Sequence, residues 1–263
     1  MSPLNILQVT DTHLLADRQA RLLGLNTNDS LQCVLQLSQK HHSNVDLVLV
    51  TGDLVHDGSD SGYARLQEFF STYSAPVLLM AGNHDEHRQL QTSAAHGPAK
   101  YVKQFQCRGW QIVLLDSTIR GSDGGRLAAA ELSLLQQYLN SAPTLPTLVC
   151  LHHQPVPMGS RWLDSMLLEN AQEFFAVLDG HPQVRGVLWG HVHQEYEGTR
   201  NGVRLMATPS TCFQFKPRSE DFALDAVAPG YRWLDLYPDG RIESGVRRLE
   251  RVSANLNMQS TGY

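Results

Sequence analysis

The chain has 263 residues, 42% of them hydrophobic and 18% charged, enough for one large domain or two small ones with a buried core. No run approaches the roughly 18 apolar residues of a membrane span, and no leader pattern stands at the N-terminus, so the cytoplasm is the expected compartment. A net charge of −5 argues against a basic grip on a nucleic acid polymer, so phosphate chemistry would need bound positive charge, for which twelve histidines make metal the candidate.

In chain order, Leu4–Val9 is a short apolar run of β-rich residues that ends in Thr10, Asp11, Thr12 and His13. Leu31, Val34, Leu35 and Leu37 then recur at helical spacing after a cap region at 28–30. Residues 46–50 form a second apolar run, closed by Thr51, Gly52 and Asp53, and Tyr63, Leu66, Phe69 and Phe70 mark a second helix. A third run, 76–80, ends in Ala81, Gly82, Asn83, His84 and Asp85. Helical spacing returns at Leu132, Leu135, Gln136 and Leu139, before a run at 147–151 that ends in His152 and His153. A fourth helical stretch covers 167–178, and Val184–Trp189 runs into Gly190, His191, Val192 and His193. Runs of this length without polar alternation read as buried strands, and their alternation with helices predicts an α/β fold with a largely parallel or mixed sheet.

The last third changes character. Val203–Ala207, 211–215, 231–237 and 241–249 read as strands, with a Pro-Asp-Gly turn at 238–240. They predict a second, more antiparallel sheet packed on the first, so the expected fold class is α/β: two mixed β-sheets packed as a sandwich and flanked by helices. Absence of a repeat or linker predicts a single domain over 1–254, followed by a flexible tail at 255–263. Cys33, Cys107, Cys150 and Cys212 are scattered without a Cys-x-x-Cys pair and read as free thiols, Cys150 as a core residue.

Five apolar runs that all end in chelating residues carry the chemistry. Ligands of open α/β sheets bind where strand C-termini gather, which would assemble Asp11, His13, Asp53, Asn83, His84, His152, His191 and His193. Singly, each could be a cap or a turn residue; five strand ends together leave that reading without an explanation. The donors are oxygen and imidazole, with no thiolate, suited to Fe, Mn, Zn or Co, and their number suits two ions. His41, His42, His96 and His181 read as solvated, and one of His152 and His153 as facing the metals. Arg161, Trp162 and Phe213 are candidates to contact a nucleobase.

These blocks resemble the signature of calcineurin-like metallophosphoesterases: Asp11-x-His13, Gly52-Asp53, Gly82-Asn83-His84-Asp85, His152 and Gly190-His191-x-His193. Residues 23–27, 162–164, 207–212, 214–217 and 228–230 are similar to one branch, the bacterial class III 3′,5′-cyclic AMP phosphodiesterases. The resemblance implies one metal on Asp11, His13, Asp53 and His193 and a second on Asp53, Asn83, His152 and His191, with Asp53 as the bridge. It implies Fe2+ and/or Mn2+, with Zn2+ or Co2+ as substitutes. Catalysis would fall to His84 and Asn83, with His13, Asp53, Asn83, His84 and His193 around the substrate. The implied reaction is hydrolysis of 3′,5′-cyclic AMP to 5′-AMP by a metal-bridging hydroxide. Many relatives carry an Asp three positions after the bridging Asp to orient the catalytic histidine; here that position is His56, and Asp57 follows it.

The expected partner is therefore a small cyclic nucleotide, with no nucleic acid polymer and no membrane; the strand-rich C-terminal region leaves a homodimer open. Two alternatives stand beside this reading. One is a broader phosphodiesterase acting on 2′,3′-cyclic nucleotides or nucleotide diphosphate esters. The other is a catalytically inactive metal-binding scaffold, disfavoured because such scaffolds lose ligands and this chain keeps all eight.

Overall fold

The computed structural model describes residues 2–263. The first half contains β1 (Leu4–Val9), α1 (Thr27–His41), β2 (Leu47–Thr51), α2 (Asp60–Phe70), β3 (Val77–Met80), α3 (His87–His96), β4 (Lys100–Tyr101), β5 (Gln104–Cys107) and β6 (Trp110–Leu114). Next come β7 (Thr118–Ile119), β8 (Ser122–Gly125), α4 (Ala129–Ser141), β9 (Thr147–Cys150), α5 (Arg161–Asp164), α6 (Ala171–Asp179) and β10 (Val184–Trp189). The chain closes with β11 (Tyr196–Arg200), β12 (Val203–Ala207), β13 (Gln214–Phe215), β14 (Leu224–Asp225), β15 (Gly230–Leu236) and β16 (Ile242–Arg248).

Two six-stranded sheets pack face to face, one in the order β16-β15-β1-β2-β3-β4 and the other β11-β12-β10-β9-β6-β5. The mixed α/β sandwich is thus as expected, but the division between its sheets is not. The five ligand-bearing strands do not share one sheet: β1, β2 and β3 are parallel neighbours in the first, β9 and β10 in the second. The late strands divide likewise, β15 and β16 extending the first sheet and β11 and β12 the second. A strand buried on both faces shows the same apolar run in either sheet, so the sequence pattern carries no partner information. Residues 211–215, expected as one strand, contribute only the two-residue β13.

Alternation along the buried strands sets the layers. On one face Leu4, Ile6, Leu47, Leu49, Leu78 and Met80 meet Ile112, Leu114, Leu148, Cys150, Leu188 and Met206 of the opposite sheet. The other face of the first sheet, with Leu7, Val9, Val48, Val50 and Leu79, packs on Leu31, Val34, Leu35, Tyr63, Leu66 and Phe70 of α1 and α2. Behind the second sheet, Val149, Val187 and Trp189 pack on Leu135, Leu139, Phe174 and Leu178 of α4 and α6. Truncating a fully buried leucine to alanine in such layers typically costs about 2–5 kcal/mol. Helix α1 starts where Asn26 caps Asp29 N–H at 3.0 Å, two residues before the expected cap region.

Two buried polar side chains tie the sheets together beneath the site. Gln8 on β1 donates to the Thr51 hydroxyl at 2.8 Å and the Trp189 carbonyl at 3.3 Å, and accepts from the Thr208 hydroxyl. Arg232 on β15 is fully buried; it donates to the Ala207 carbonyl at 2.8 Å and Ser244 Oγ at 2.9 Å and pairs with Glu197. These contacts fix the ends of β1, β2, β10 and β12 relative to each other, which sets the spacing of the loops above. Residues 255–263, expected as a flexible tail, form neither helix nor strand, and the Asn257 N–H donates to the Leu23 carbonyl at 2.8 Å. No helix among the described residues is long and apolar enough to cross a membrane.

Candidate metal centre and active site

All eight candidate ligands and catalytic residues follow the C-terminal ends of β1, β2, β3, β9 and β10, so the parallel pairing within each sheet brings them to one edge of the sandwich. The backbone there is unusual. Asp11, His13, Asp53, His191 and His193 all have positive φ, between 43° and 64°, a region that costs energy for residues with a Cβ. The strain turns alternate residues of each loop towards a common centre. Crowding explains two glycines: a Cβ at Gly52, which has φ +96°, would lie 2.2 Å from His152 Nδ1, and one at Gly82 would lie 2.2 Å from Asp53 Oδ1.

Three donor groups result, each with ligand atoms within 4.8 Å of one another: Asp11, His13 and His193; Asp53, His152 and His191; and, at the half-buried rim, His13, His56 and His84. The first two are buried and carry the carboxylates. Asp53 joins them: its Oδ2 lies 3.7 Å from His13 Nε2 and 3.3 Å from His152 Nε2. Asn83 completes the second group, with Oδ1 3.0 Å from His191 Nδ1. His84 stands at the rim, its ring 5.0 Å from that of His13 and its N–H donating to Asp53 Oδ1 at 3.0 Å.

The outer contacts orient the imidazoles. His152 Nδ1 donates to the Thr51 carbonyl at 2.8 Å and His193 Nδ1 to the Phe213 carbonyl at 2.8 Å, which leaves each Nε2 lone pair facing the centre. Asp11 accepts from the His191 N–H at 3.1 Å. Asp85 clasps two loops, accepting from the N–H groups of Leu54, Val55 and Gly82 and from the Tyr63 hydroxyl.

The residues fit a pair of cations. His152 Nε2 and His191 Nε2 are buried without a hydrogen-bond partner, and His13 Nε2 faces His193 Nε2 at 3.3 Å, so donor atoms converge without protons to share. Burial holds the His13 and His191 pKa values well below the ordinary value, which keeps both rings neutral and able to donate a lone pair. Burial would lower His152 too, but the Asp53 and Asp11 carboxylates outweigh it and raise its pKa to about 9. The charge that draws a proton to His152 would equally draw a metal ion. Cys212 lies nearby, but burial pushes its thiol far up, so it offers no thiolate.

His153 does not reach the centre. It stands behind it, with Nδ1 2.8 Å from the Ser117 hydroxyl and its ring 4.7 Å from that of His191. His56, three positions after Asp53, stacks on His84 at 4.6 Å and brings Nδ1 to 3.2 Å from His13 Nδ1. Asp57 instead accepts from Ala16 N–H and Ser59 Oγ and holds its own loop. His42 and His181 are half-buried rather than solvated: His42 stacks on Trp233, and His181 donates to the Val177 carbonyl.

Of the three base-contact candidates, only Trp162 borders a cavity beside the centre. Arg161 is drawn to the surface by Glu220 and Asp221, and Phe213 is buried under the His193 ring. The signal missed in the sequence was the run 110–115, which ends in Asp116 as the other strands end in their ligands. Its strand is β6, and Asp116 Oδ2 lies 2.6 Å from His87 Nε2 beside the site.

The His87–Asp116 pair makes stability depend on pH. The bond to Asp116 raises the His87 pKa. Burial would raise the Asp116 pKa, but bonds from His87 and Thr118 outweigh it and hold it below the usual carboxylate range. A raised histidine contributes fully below its unfolded value of about 6.5 and loses that contribution as pH climbs through its folded value; a depressed carboxylate contributes above about 4 and loses it on acidification. Asp116→Asn is therefore expected to lower Tm more at about pH 5.5 than at about pH 8.5 in calorimetric scans. Equal losses at both would show that no charge exchange underlies the pair.

A sequence profile of the calcineurin-like phosphoesterases matches residues 4–195. The chain is 43% identical to the 3′,5′-cyclic adenosine monophosphate phosphodiesterase CpdA of Pseudomonas aeruginosa, over 98% of this chain and 94% of that protein. It is also 43% identical, with the same coverage, to the CpdA phosphodiesterase of Escherichia coli strain K12. Among solved structures, a dimetal phosphatase from Danio rerio superposes with a TM-score of 0.69 at 17% identity, covering 97% of this chain and all of that one, a likeness of fold.

Proposed function

Because the chain belongs to the calcineurin-like phosphoesterase family, we propose that it hydrolyses 3′,5′-cyclic AMP to 5′-AMP at this edge of the sandwich, with two divalent cations. The observation that carries the two-cation reading is the pair of buried donor groups sharing Asp53, with His84 at their rim. Asp11, His13, Asp53 and His193 would hold one ion; Asp53, Asn83, His152 and His191 the other. Oxygen and imidazole donors without thiolate favour Fe2+ or Mn2+, with Zn2+ or Co2+ able to substitute.

Such a pair, when bound, supplies Lewis acidity to the phosphate oxygens and acidifies a water. The protein's own share is positioning and proton transfer. Asn83 and His84, on the loop after β3, face the phosphoryl group and stabilise its charge. Water adds to phosphorus as the bond to the ribose 3′ oxygen breaks; the His84 ring, in its protonated form, gives that oxygen its proton, and a proton from the attacking water restores the ring. His56 stacks on the His84 ring and Asp53 holds the His84 N–H, so the ring is presented in one orientation. The four unpaired cysteines suit a reducing compartment, and we place the enzyme in the cytoplasm.

The test uses protein reconstituted with Fe2+ or Mn2+ and incubated with 3′,5′-cyclic AMP, 2′,3′-cyclic AMP or bis(4-nitrophenyl) phosphate. Formation of 5′-AMP from the first is expected. Turnover of the other two alone would keep the two-cation chemistry and discard the substrate; metal uptake without any turnover would leave a scaffold.

A further inference from the structure

Beside the metal loops lies a cavity of about 230 Å3 whose two walls differ in kind. One wall is Asn83, His84 and His191; the other is aromatic, built by Trp162, Phe215, Phe222 and Tyr263. Asp123 is the polar lining residue that does not belong to the metal loops. Resting on the hydrolysis proposed above, we propose that this cavity is the nucleobase subsite and that Tyr263, from the C-terminal segment, is a specificity-determining residue of the reaction.

Position is the first argument. A phosphoryl group between the two donor groups is flanked by Asn83 and His84, so the part of the substrate attached to it must leave the centre past those residues. The cavity begins there. Its volume is below the roughly 300–1,000 Å3 of drug-sized ligand sites, on the scale of a base with part of its sugar rather than a polymer.

Chemistry is the second. A base offers two apolar π-faces and a polar edge, and proteins that hold bases without a paired strand stack them on aromatic rings. The rings here are fixed rather than scattered. Phe215 stacks on His193 at 4.2 Å, Trp162 meets Phe215 edge to face at 5.0 Å, and Phe222 meets Trp162 at 5.3 Å. The wall is therefore anchored to a candidate metal ligand, so the base would be registered against the phosphate. Helix α5, which carries Trp162, is clamped to the segment with Phe222: Trp162 N–H donates to the Glu220 carbonyl at 3.2 Å, and Arg161 Nε lies 2.9 Å from Glu220. The Asp123 carboxylate accepts and cannot donate, which suits a base with an exocyclic amino group.

Tyr263 closes this wall from above. Its ring is 5.1 Å from that of Phe213, 5.6 Å from those of His13, His84 and Phe215, and 5.8 Å from those of His56 and Phe222, so it spans the donor groups as well as the aromatic side.

The experiment compares wild type with Tyr263→Ala and Phe222→Ala, each loaded with Mn2+. Four quantities are read: KM and kcat for 3′,5′-cyclic AMP, the inhibition constant of 5′-AMP, and that of ribose 5-phosphate, which has the same phosphate and sugar but no base. In each variant KM and the 5′-AMP constant are expected to rise about 5- to 100-fold, while kcat and the ribose 5-phosphate constant stay within about twofold. Equal weakening of both inhibitors, or no change in either, would overturn the subsite. So would tighter binding of both with faster turnover, because Tyr263 would then be obstructing the centre. If wild type does not act on 3′,5′-cyclic AMP, the two inhibitors are compared against hydrolysis of bis(4-nitrophenyl) phosphate, which separates failure of the subsite from failure of the substrate.

Discussion

Asp53→Ala is expected to leave fewer than one metal ion per chain and to reduce phosphodiester hydrolysis by at least about 10³-fold. The size follows from where the carboxylate stands. One oxygen lies within 3.7 Å of His13 Nε2 and 3.3 Å of His152 Nε2, so a single substitution removes a ligand from both donor groups. The other accepts the His84 N–H, so the loop that presents the catalytic ring also loses its anchor. Removing one preorganised electrostatic contact in an active site typically costs about 10²–10³ in rate, and here two cation sites and one anchor go together. Metal content after dialysis decides the matter. Two ions per chain retained would remove Asp53 from the bridging position, whatever became of the activity.

The order of metal-loop residues was legible in the sequence because a parallel strand buried on both faces has only one place to put polar groups, its end. Asp11, Asp53, Asn83, His152 and His191 each follow a predominantly apolar run, and pairing those strands in parallel within each sheet brings their ends to one edge. Which sheet each strand joins was hidden for the same reason, since Leu47–Thr51 and Val184–Trp189 are both largely apolar and largely buried although they lie in different sheets. The ties that place one sheet's loops against the other's are single polar residues inside apolar surroundings, Gln8 and Arg232, whose partners lie some 12 to 200 positions away. No local rule reaches across that distance. Tyr263 was invisible for a different reason: it belongs to a stretch with no periodicity, and its place over His84 comes from tertiary contacts alone.

His84→Ala is the converse case, with metal kept and turnover lost. His84 belongs to neither of the two carboxylate-bearing groups joined by Asp53; it converges only with His13 and His56 at the half-buried rim, and it also lines the cavity. Two ions per chain are therefore expected in the variant, with a Tm close to wild type because the ring is only half-buried. The proton it gives to the departing ribose oxygen is typically worth about 10²–10⁴-fold, and that is the loss expected in kcat for 3′,5′-cyclic AMP. The loss should depend on the leaving group. A ribose alkoxide is a poor leaving group and needs the proton, whereas 4-nitrophenolate leaves readily without one, so hydrolysis of bis(4-nitrophenyl) phosphate should fall by a much smaller factor. Equal losses on the two substrates would mean that His84 acts by positioning phosphate rather than by donating a proton. Loss of an ion would make it a ligand. His56 gives the intermediate case: it stacks on His84 at 4.6 Å and converges with His13 and His84 only at the rim, so His56→Ala should free the ring, leave metal content intact and reproduce the leaving-group dependence in weaker form; loss of an ion would make it a ligand.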